Sequence, residues 1–345
     1  MSFFAILAAL LIEQVRPLSH GNALHAALRG WAGWVSRNVD AGRPRHGWLA
    51  WALAVGVPVA LALALHGLLL AAGGWPLAMV WSVAVLYATL GFRQFSHHFT
   101  RIRDALEDGE EHRARELLAQ WQQVDASALP RSEIVRHVIE YSAVAAHRHV
   151  FGVLAWFSLL AACGLGPAGA VGYRMAEFLS RHWREAVLPA VAADAPMPSA
   201  AGQRAAQRAW RVIDWLPVRL TALCFAVVGS FEEAIDGWRF HAQRFPDDND
   251  GVVLAATAGA VGVRLGGGAL VRAGAASALA EPVPARRLGD VPGPSDARAA
   301  PDHSASTPGR APEVSHLAQI VGLVWRSVVV WMVLLALLTL ARLLG

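Results

Sequence analysis

Two stretches of this chain, Trp48–Gly73 and Val321–Leu344, are apolar for longer than the ~20 helical residues that cross a bilayer core. That feature constrains the fold more than any other. Lipid offers no partner for backbone N–H or C=O, so such runs must close their own hydrogen bonds as helices. Composition agrees: 55% of the 345 residues are hydrophobic and 16% charged, against ~25% charged in soluble domains. The expectation is an all-α, multi-pass integral membrane protein. Helical polar regions separate its spans, and a disordered Pro-rich linker precedes the last one.

A pass along the chain divides it further. Residues 1–47 hold a short apolar run at 3–12, ended by Glu13 and too short to span; it reads as a helix that is interfacial or packed on the others, and not as a cleaved signal peptide. Residues 48–92 form a helix pair broken by Gly73-Gly74-Trp75-Pro76, with Trp48, Trp51, Trp75 and Trp81 where interfacial aromatics sit. Residues 93–149 read as amphipathic helices: Phe95, Phe99, Ile102 and Leu106 recur on one helical face. Residues 150–173 are a third span. Residues 174–215 are polar and helical, with a proline break near Ala195–Ser199, and 216–231 is a short apolar segment containing Arg219. Residues 232–280 end rich in glycine. Residues 281–312 carry Pro282, Pro284, Pro292, Pro294, Pro301, Pro308 and Pro312, too little apolar surface to offset ordering, and 313–345 is the C-terminal membrane helix.

All basic charge is arginine, the net charge is +4, and bases are interspersed with acids, which argues against nucleic acid as a partner. The arginine bias puts 13–47, 93–149 and 232–316 on the cytoplasmic side. Cys163 and Cys224 lie in apolar stretches and read as buried, inert thiols. His97/His98 and His147/His149 lack helical ligand spacing, so no metal site is expected and these histidines read as surface or interfacial. The acids and arginines of 104–116 read as a solvated face with i,i+4 pairs. No nucleophile elbow, P-loop or zinc-protease motif occurs, and no catalytic residue is assigned. Two arginines stand out. Arg219 lies in an apolar run, with Asp214 or an anionic ligand as its expected partner. Arg264 precedes Gly266, Gly267 and Gly268, where backbone can approach a carboxylate or phosphate closely.

Three segments carry a resemblance. Leu216–Leu223 (LPVRLTAL) resembles a "PARLTAL" element, Ala256–Gly267 (ATAGAVGVRLGG) an "AMAGALGVRLGG" element, and Gly166–Arg174 (GPAGAVGYR) a "GAPGALAYR" element, in the same chain order. These are elements of the CobD/CbiB family of membrane proteins, and Ile213–Leu220 is also similar to AmpE, a relative. The resemblance implies adenosylcobinamide-phosphate synthesis: amide ligation of aminopropanol, or its phosphate, to cobyric acid, with ATP and Mg²⁺, in the bacterial inner membrane. On that reading a corrinoid is the substrate partner, and Arg219, Arg264, Asn249, Glu140, Gly266 and Gly267 form the substrate or anion site. The family's "ESxxENxxDG" segment aligns with Glu140–Gly152, which keeps Glu140 and Ser142 but not the second Glu, the Asn or the Asp. Its "SPNAGWPEA" segment aligns with Asp247–Ala255, keeping Asn249 and Gly251 without the acid, and its N-terminal "GDP…PHPV" segment has no counterpart near Pro17–Asn22. The alternative implied by the AmpE likeness is a non-catalytic membrane sensor or modulator of cell-envelope or β-lactam response, with a protein partner on residues 93–149.

Overall fold

The computed structural model describes residues 2–15, 23–122, 124–185, 198–267 and 306–344. Among these the regular elements are helices, and no strand forms beyond isolated bridges. In chain order they are α1 (Ser2–Val15), α2 (Ala23–Val39), α3 (Pro44–Thr89), α4 (Phe92–Glu107), α5 (Glu111–Gln122), α6 (Arg131–Ala146), a π-helical turn (His147–Phe151), α7 (Gly152–Ala162), α8 (Ala168–Glu185), α9 (Ala200–Val228), α10 (Phe231–His241), α11 (Asp248–Val261) and α12 (Val314–Leu344).

Among the described residues three helices are long and apolar enough to cross a membrane: Pro44–Thr89, Arg131–Ala162 and Val314–Ala341. α3 is a hairpin. Gly74 takes φ 68°, ψ −162°, a conformation open to glycine and costly for other residues. The Trp81 indole N–H donates to Ala62 O at 3.2 Å, although a straight helix would hold residues 19 positions apart at about 28 Å. The two arms therefore lie antiparallel. Outward from them point Leu49, Leu53, Leu61 and Leu68, and from α12 Val333, Leu337 and Leu338. Such bands suit lipid and would form an unusually large apolar patch in water.

The third long helix is of another kind, since 61% of its most apolar window is buried inside the protein. Ile134, Val135, Val138 and Ile139 are all fully buried, so α6 is wrapped by its neighbours on every side. The apolar run expected as one span at 150–173 is divided instead. α7 stops at Ala162, Gly164 and Gly166 turn the chain at φ 79° and 55°, and α8 starts at Ala168. Apolarity alone cannot show that the more polar residues 131–149 continue the same helix.

Two buried clusters hold the bundle. The larger draws on every described helix except α2; the smaller joins α2, α3, α8 and α9 around Trp183. α1 packs through Ala5, Ile6 and Ala9. Phe99, Ile102 and Leu106 of the expected α4 face are buried. α9 starts on Ser199, whose hydroxyl accepts from Ala201 N and Gly202 N and donates to Asp40. Its Pro217 has no N–H, which frees Ile213 O, and the Trp156 indole supplies the missing donor at 3.0 Å. The short apolar segment 216–231 is the C-terminal half of this helix up to Val228.

α10 and α11 meet backbone to backbone. A Cβ at Gly259 would lie 2.0 Å from Glu233 O, and one at Gly237 2.5 Å from Ala255 O. α11 ends on left-handed Gly262 (φ 73°). Beyond it, Val263 and Gly266 form bridges with Arg310 and Ser306. Arg264 N donates to Arg310 O (2.8 Å), and Thr307 N to Leu265 O (2.7 Å). Ser306 and Thr307 are buried. This corrects the expected disordered linker at its end: residues 306–312 form an ordered strap, because backbone pairing supplies what side-chain burial cannot. The rest of that linker, the glycine-rich 268–280 and most of the proline break at 195–199 lie outside the described residues. Cys224 is buried as expected, but Cys163 is exposed, because it caps the end of α7.

The glycine contacts set up a paired test. Gly259→Ala drives a methyl into backbone that cannot move aside and should cost about 1–3 kcal/mol. Gly56→Ala, in an α3 arm with nothing within 4 Å, should be neutral or stabilise by about 0.5–1 kcal/mol. Thermal unfolding of the two purified variants in detergent checks the ordering.

Candidate functional site

Where α6 passes into α7, the helix widens to a π turn that carries three consecutive polar residues, His147, Arg148 and His149. Rare π turns of this kind concentrate at functional sites. The three side chains fan out to three different helices. His147 reaches α9, with Nε2 2.9 Å from Asp214 Oδ1 and Nδ1 2.9 Å from Thr221 Oγ1. Arg148 reaches α11, donating to both oxygens of Asp250 at 2.9 and 2.6 Å, with its guanidinium over the Trp210 ring. His149 faces the charge cluster of α8 around Glu177.

Asp214 is the focus. Its carboxylate is fully buried, a cost of several kcal/mol for an unpaired ion. Four groups offset it or support those that do. The Tyr173 hydroxyl donates to Oδ1 at 2.8 Å, His147 meets the same oxygen, and Asn249 Nδ2 donates to Oδ2 at 3.3 Å. Thr221 donates to Pro217 O, so its oxygen is free to accept from His147 Nδ1. Glycine makes the room: a Cβ at Gly152 would lie 2.1 Å from the Tyr173 phenol oxygen. Burial, then the Asp214 charge and hydrogen bond, push the Tyr173 phenol well above its ordinary range, so it remains a donor.

The flanking acids are paired as well. Burial raises Asp250 above the usual carboxylate range, with Arg148 opposing it. Burial would also raise Glu177, but Arg181 and Arg174 overcome it and hold the carboxyl down to about 2. A second cluster lies on α6. Glu140 Oε1 accepts from Gly266 N (2.7 Å) and from Arg136 (2.9 Å), and Arg136 also grips Glu133. Among the described residues no three His, Cys, Asp or Glu converge as metal ligands.

The residues singled out from sequence divide between these places. Asn249 stands in the Asp214 cluster. Glu140 and Gly266 share one hydrogen bond, and Gly267 (φ 98°) follows beside Ser306. Arg264 is fixed through its backbone to the strap, and among the described residues its guanidinium makes no hydrogen bond or ion pair. Arg219 lies over the Trp215 ring, 3.9 Å from the centroid, and donates to Trp215 O. Its expected pairing with Asp214 does not form, because five helical residues turn the two side chains about 140° apart. Nor are the histidines uniformly superficial: His147 is fully buried. Sequence reasoning misses His147, Tyr173, Asp214 and Thr221 as a cluster. The available signal is a polar triplet inside a long apolar helix, where polar groups need partners.

Comparison with known proteins gives these positions a context. A family model described as CobD/Cbib protein matches residues 2–283. Among curated proteins, the Cobalamin biosynthesis protein CobD of Chromobacterium violaceum is 32% identical over 231 residues, 64% of this chain and 67% of that protein. The protein of the same name from Stutzerimonas stutzeri is 29% identical over 293 residues, 84% of this chain and 81% of that one. No solved structure matches. With the family model spanning most of its length and both polar clusters inside the match, the chain belongs to the CobD/CbiB family.

Proposed function

We propose that this protein serves cobalamin biosynthesis from the bacterial cytoplasmic membrane, at the step that joins aminopropanol, or its phosphate, to a carboxylate of cobyric acid. One observation carries the reading. The segments that resemble family elements lie far apart in sequence, yet their polar residues meet: Tyr173, Asp214, Thr221 and Asn249 at one cluster, and Glu140 with Gly266 at the other. The names of the two relatives support the same pathway.

On this reading Arg264 is the anion-binding residue. Among the described residues its guanidinium makes no hydrogen bond or ion pair, and its backbone is held by the strap. Glu140 and Asn249 are positioning residues, the first holding the glycine loop through Gly266 N and the second holding Asp214. Arg219, stacked on Trp215, is a second contact for a substrate carboxylate or phosphate. The acids do not fit a magnesium site. Asp214, Asp250, Glu140 and Glu177 are each committed to cationic or hydrogen-bonding partners, and among the described residues no cluster of His, Cys, Asp or Glu is open to the hard cation. ATP is the co-substrate that the family reaction implies.

That closure favours a second reading, an AmpE-like modulator without catalysis, in which the Asp214 cluster clamps helices. Its partner surface would be α4 and α5, where exposed ion pairs such as Arg113–Glu110 lie; α6, the rest of residues 93–149, is buried in the core.

Purified protein supplied with cobyric acid, ATP, Mg²⁺ and either aminopropanol or its phosphate should yield the amide. Arg264→Ala should lower kcat/KM by about 2–4 kcal/mol, roughly 30- to 1,000-fold. A folded protein that neither binds cobyric acid nor turns it over overturns the ligase reading. The modulator reading expects deletion of the gene to alter β-lactam response and leave cobalamin synthesis intact, and a cobalamin auxotroph would rule it out. On either reading Asp214→Ala should destabilise the protein by about 3–5 kcal/mol, because it strands the buried His147 and Asn249; unfolding in detergent measures it.

A further inference from the structure

Apart from the polar clusters, a cavity of about 460 Å³ opens between the α3 hairpin and α8. Leu61, Leu65, Trp81 and Ala84 of the two α3 arms and Phe178 of α8 make its walls apolar. Arg174 and Arg181, one face of α8, line it too. α8 runs antiparallel to the first α3 arm: a side chain at Gly166 would strike His66, and one at Gly172 would touch Val59. From Arg174 to Arg181 the helix therefore climbs toward the hairpin's open end, where Pro44 and Thr89 lead into polar helices. The cavity is apolar toward the hairpin tip and cationic toward its ends.

Among the described residues the charges there do not balance. Glu177 is the carboxylate between the two guanidinia, 3.2 Å from Arg174 and 3.7 Å from Arg181, which leaves one positive charge over among those side chains. Among the described residues Arg181 makes no hydrogen bond; its ion pair with Glu177 uses Nε, so both terminal nitrogens are free to donate. Guanidinium donors of this kind match phosphate oxygens.

We propose that this cleft is a binding site for an anionic glycerophospholipid, its acyl chains lying between the α3 arms and its phosphate on Arg181 and Arg174. The occupant is a lipid and not a free anion, because most of the lining is hydrocarbon. It is also not a corrinoid, whose amide-rich rim finds few polar partners on these walls. The site borders the Asp214 cluster through Arg174 and Glu177, and the inference stands whether or not the amide-forming reading holds.

The test uses the full-length protein in detergent, with lipid retention read by native mass spectrometry in mixed micelles. Phosphatidylglycerol should be retained in preference to phosphatidylcholine by the unaltered protein, a comparison that needs no variant. Arg181→Gln should weaken phosphatidylglycerol retention roughly fivefold while leaving phosphatidylcholine unchanged. Ala84→Trp, which fills the cleft from an exposed position, should reduce retention of both. Equal retention of the two lipids overturns the proposal. So does displacement of phosphatidylglycerol by millimolar inorganic phosphate, which would mark a site for the free anion.

Discussion

The buried carboxylate of Asp214 is the interaction on which the rest of the polar architecture depends. A charge removed from water and lipid headgroups must be met on all sides, and Asp214 is met from the π turn, from α8 and from α11. Each partner is fixed in turn. His147 needs Thr221, Tyr173 needs the space left by Gly152, and Asn249 is held at Arg211 O as well. Four helices that apolar packing alone could slide past one another are thereby given one register. Specificity of this kind is a better-supported role for buried polar groups than net stability.

The Arg136–Glu140–Gly266 contact acts in the same way on the preceding turns of α6. It ties α6 to the glycine-rich loop, and the strap at 306–310 closes over that loop from the other side. Arg264 is consequently the one residue named from sequence whose backbone is immobilised while its charged end remains uncommitted among the described residues. That combination is what recognition of an anion requires: a placed cation that has not already lost its donors to the protein.

Much of the fold can be read from the chain, for identifiable reasons. Long apolar runs admit only helices, so the all-α membrane architecture follows, and Gly73-Gly74-Trp75-Pro76 marks the hairpin correctly. The face of Phe99, Ile102 and Leu106 obeys helical period. What escapes is anything set by helix rotation in three dimensions. At 100° per residue His147 and His149 point apart and look unrelated to a site, but the π turn breaks that arithmetic and the partners come from α8 and α9. Asp214 looks like a mate for Arg219 because they are close in sequence, yet the helix turns them apart. The strap is invisible because its residues have a linker's composition, and main-chain pairing leaves no compositional trace. For the site, Asn249, Glu140 and Gly266 are legible in sequence, while the groups they serve are not.

A π turn holds one more residue than the α-helical path it replaces. Removing a single residue between His147 and Phe151 would restore an ordinary helix with α6 and α7 nearly in their present register, but without the wide turn that fans His147, Arg148 and His149 toward three different helices. Trp156 would keep its hold on Ile213 O and Gly152 its place beside Tyr173, while the turn's own links to Asp214 and Asp250 would be lost. Five residues in mid-helix thus fix the permitted length of the chain more strictly than its surface turns do. Homologous chains should differ in length at those turns, and a change of length here should mark a lineage that has rebuilt the whole polar interior.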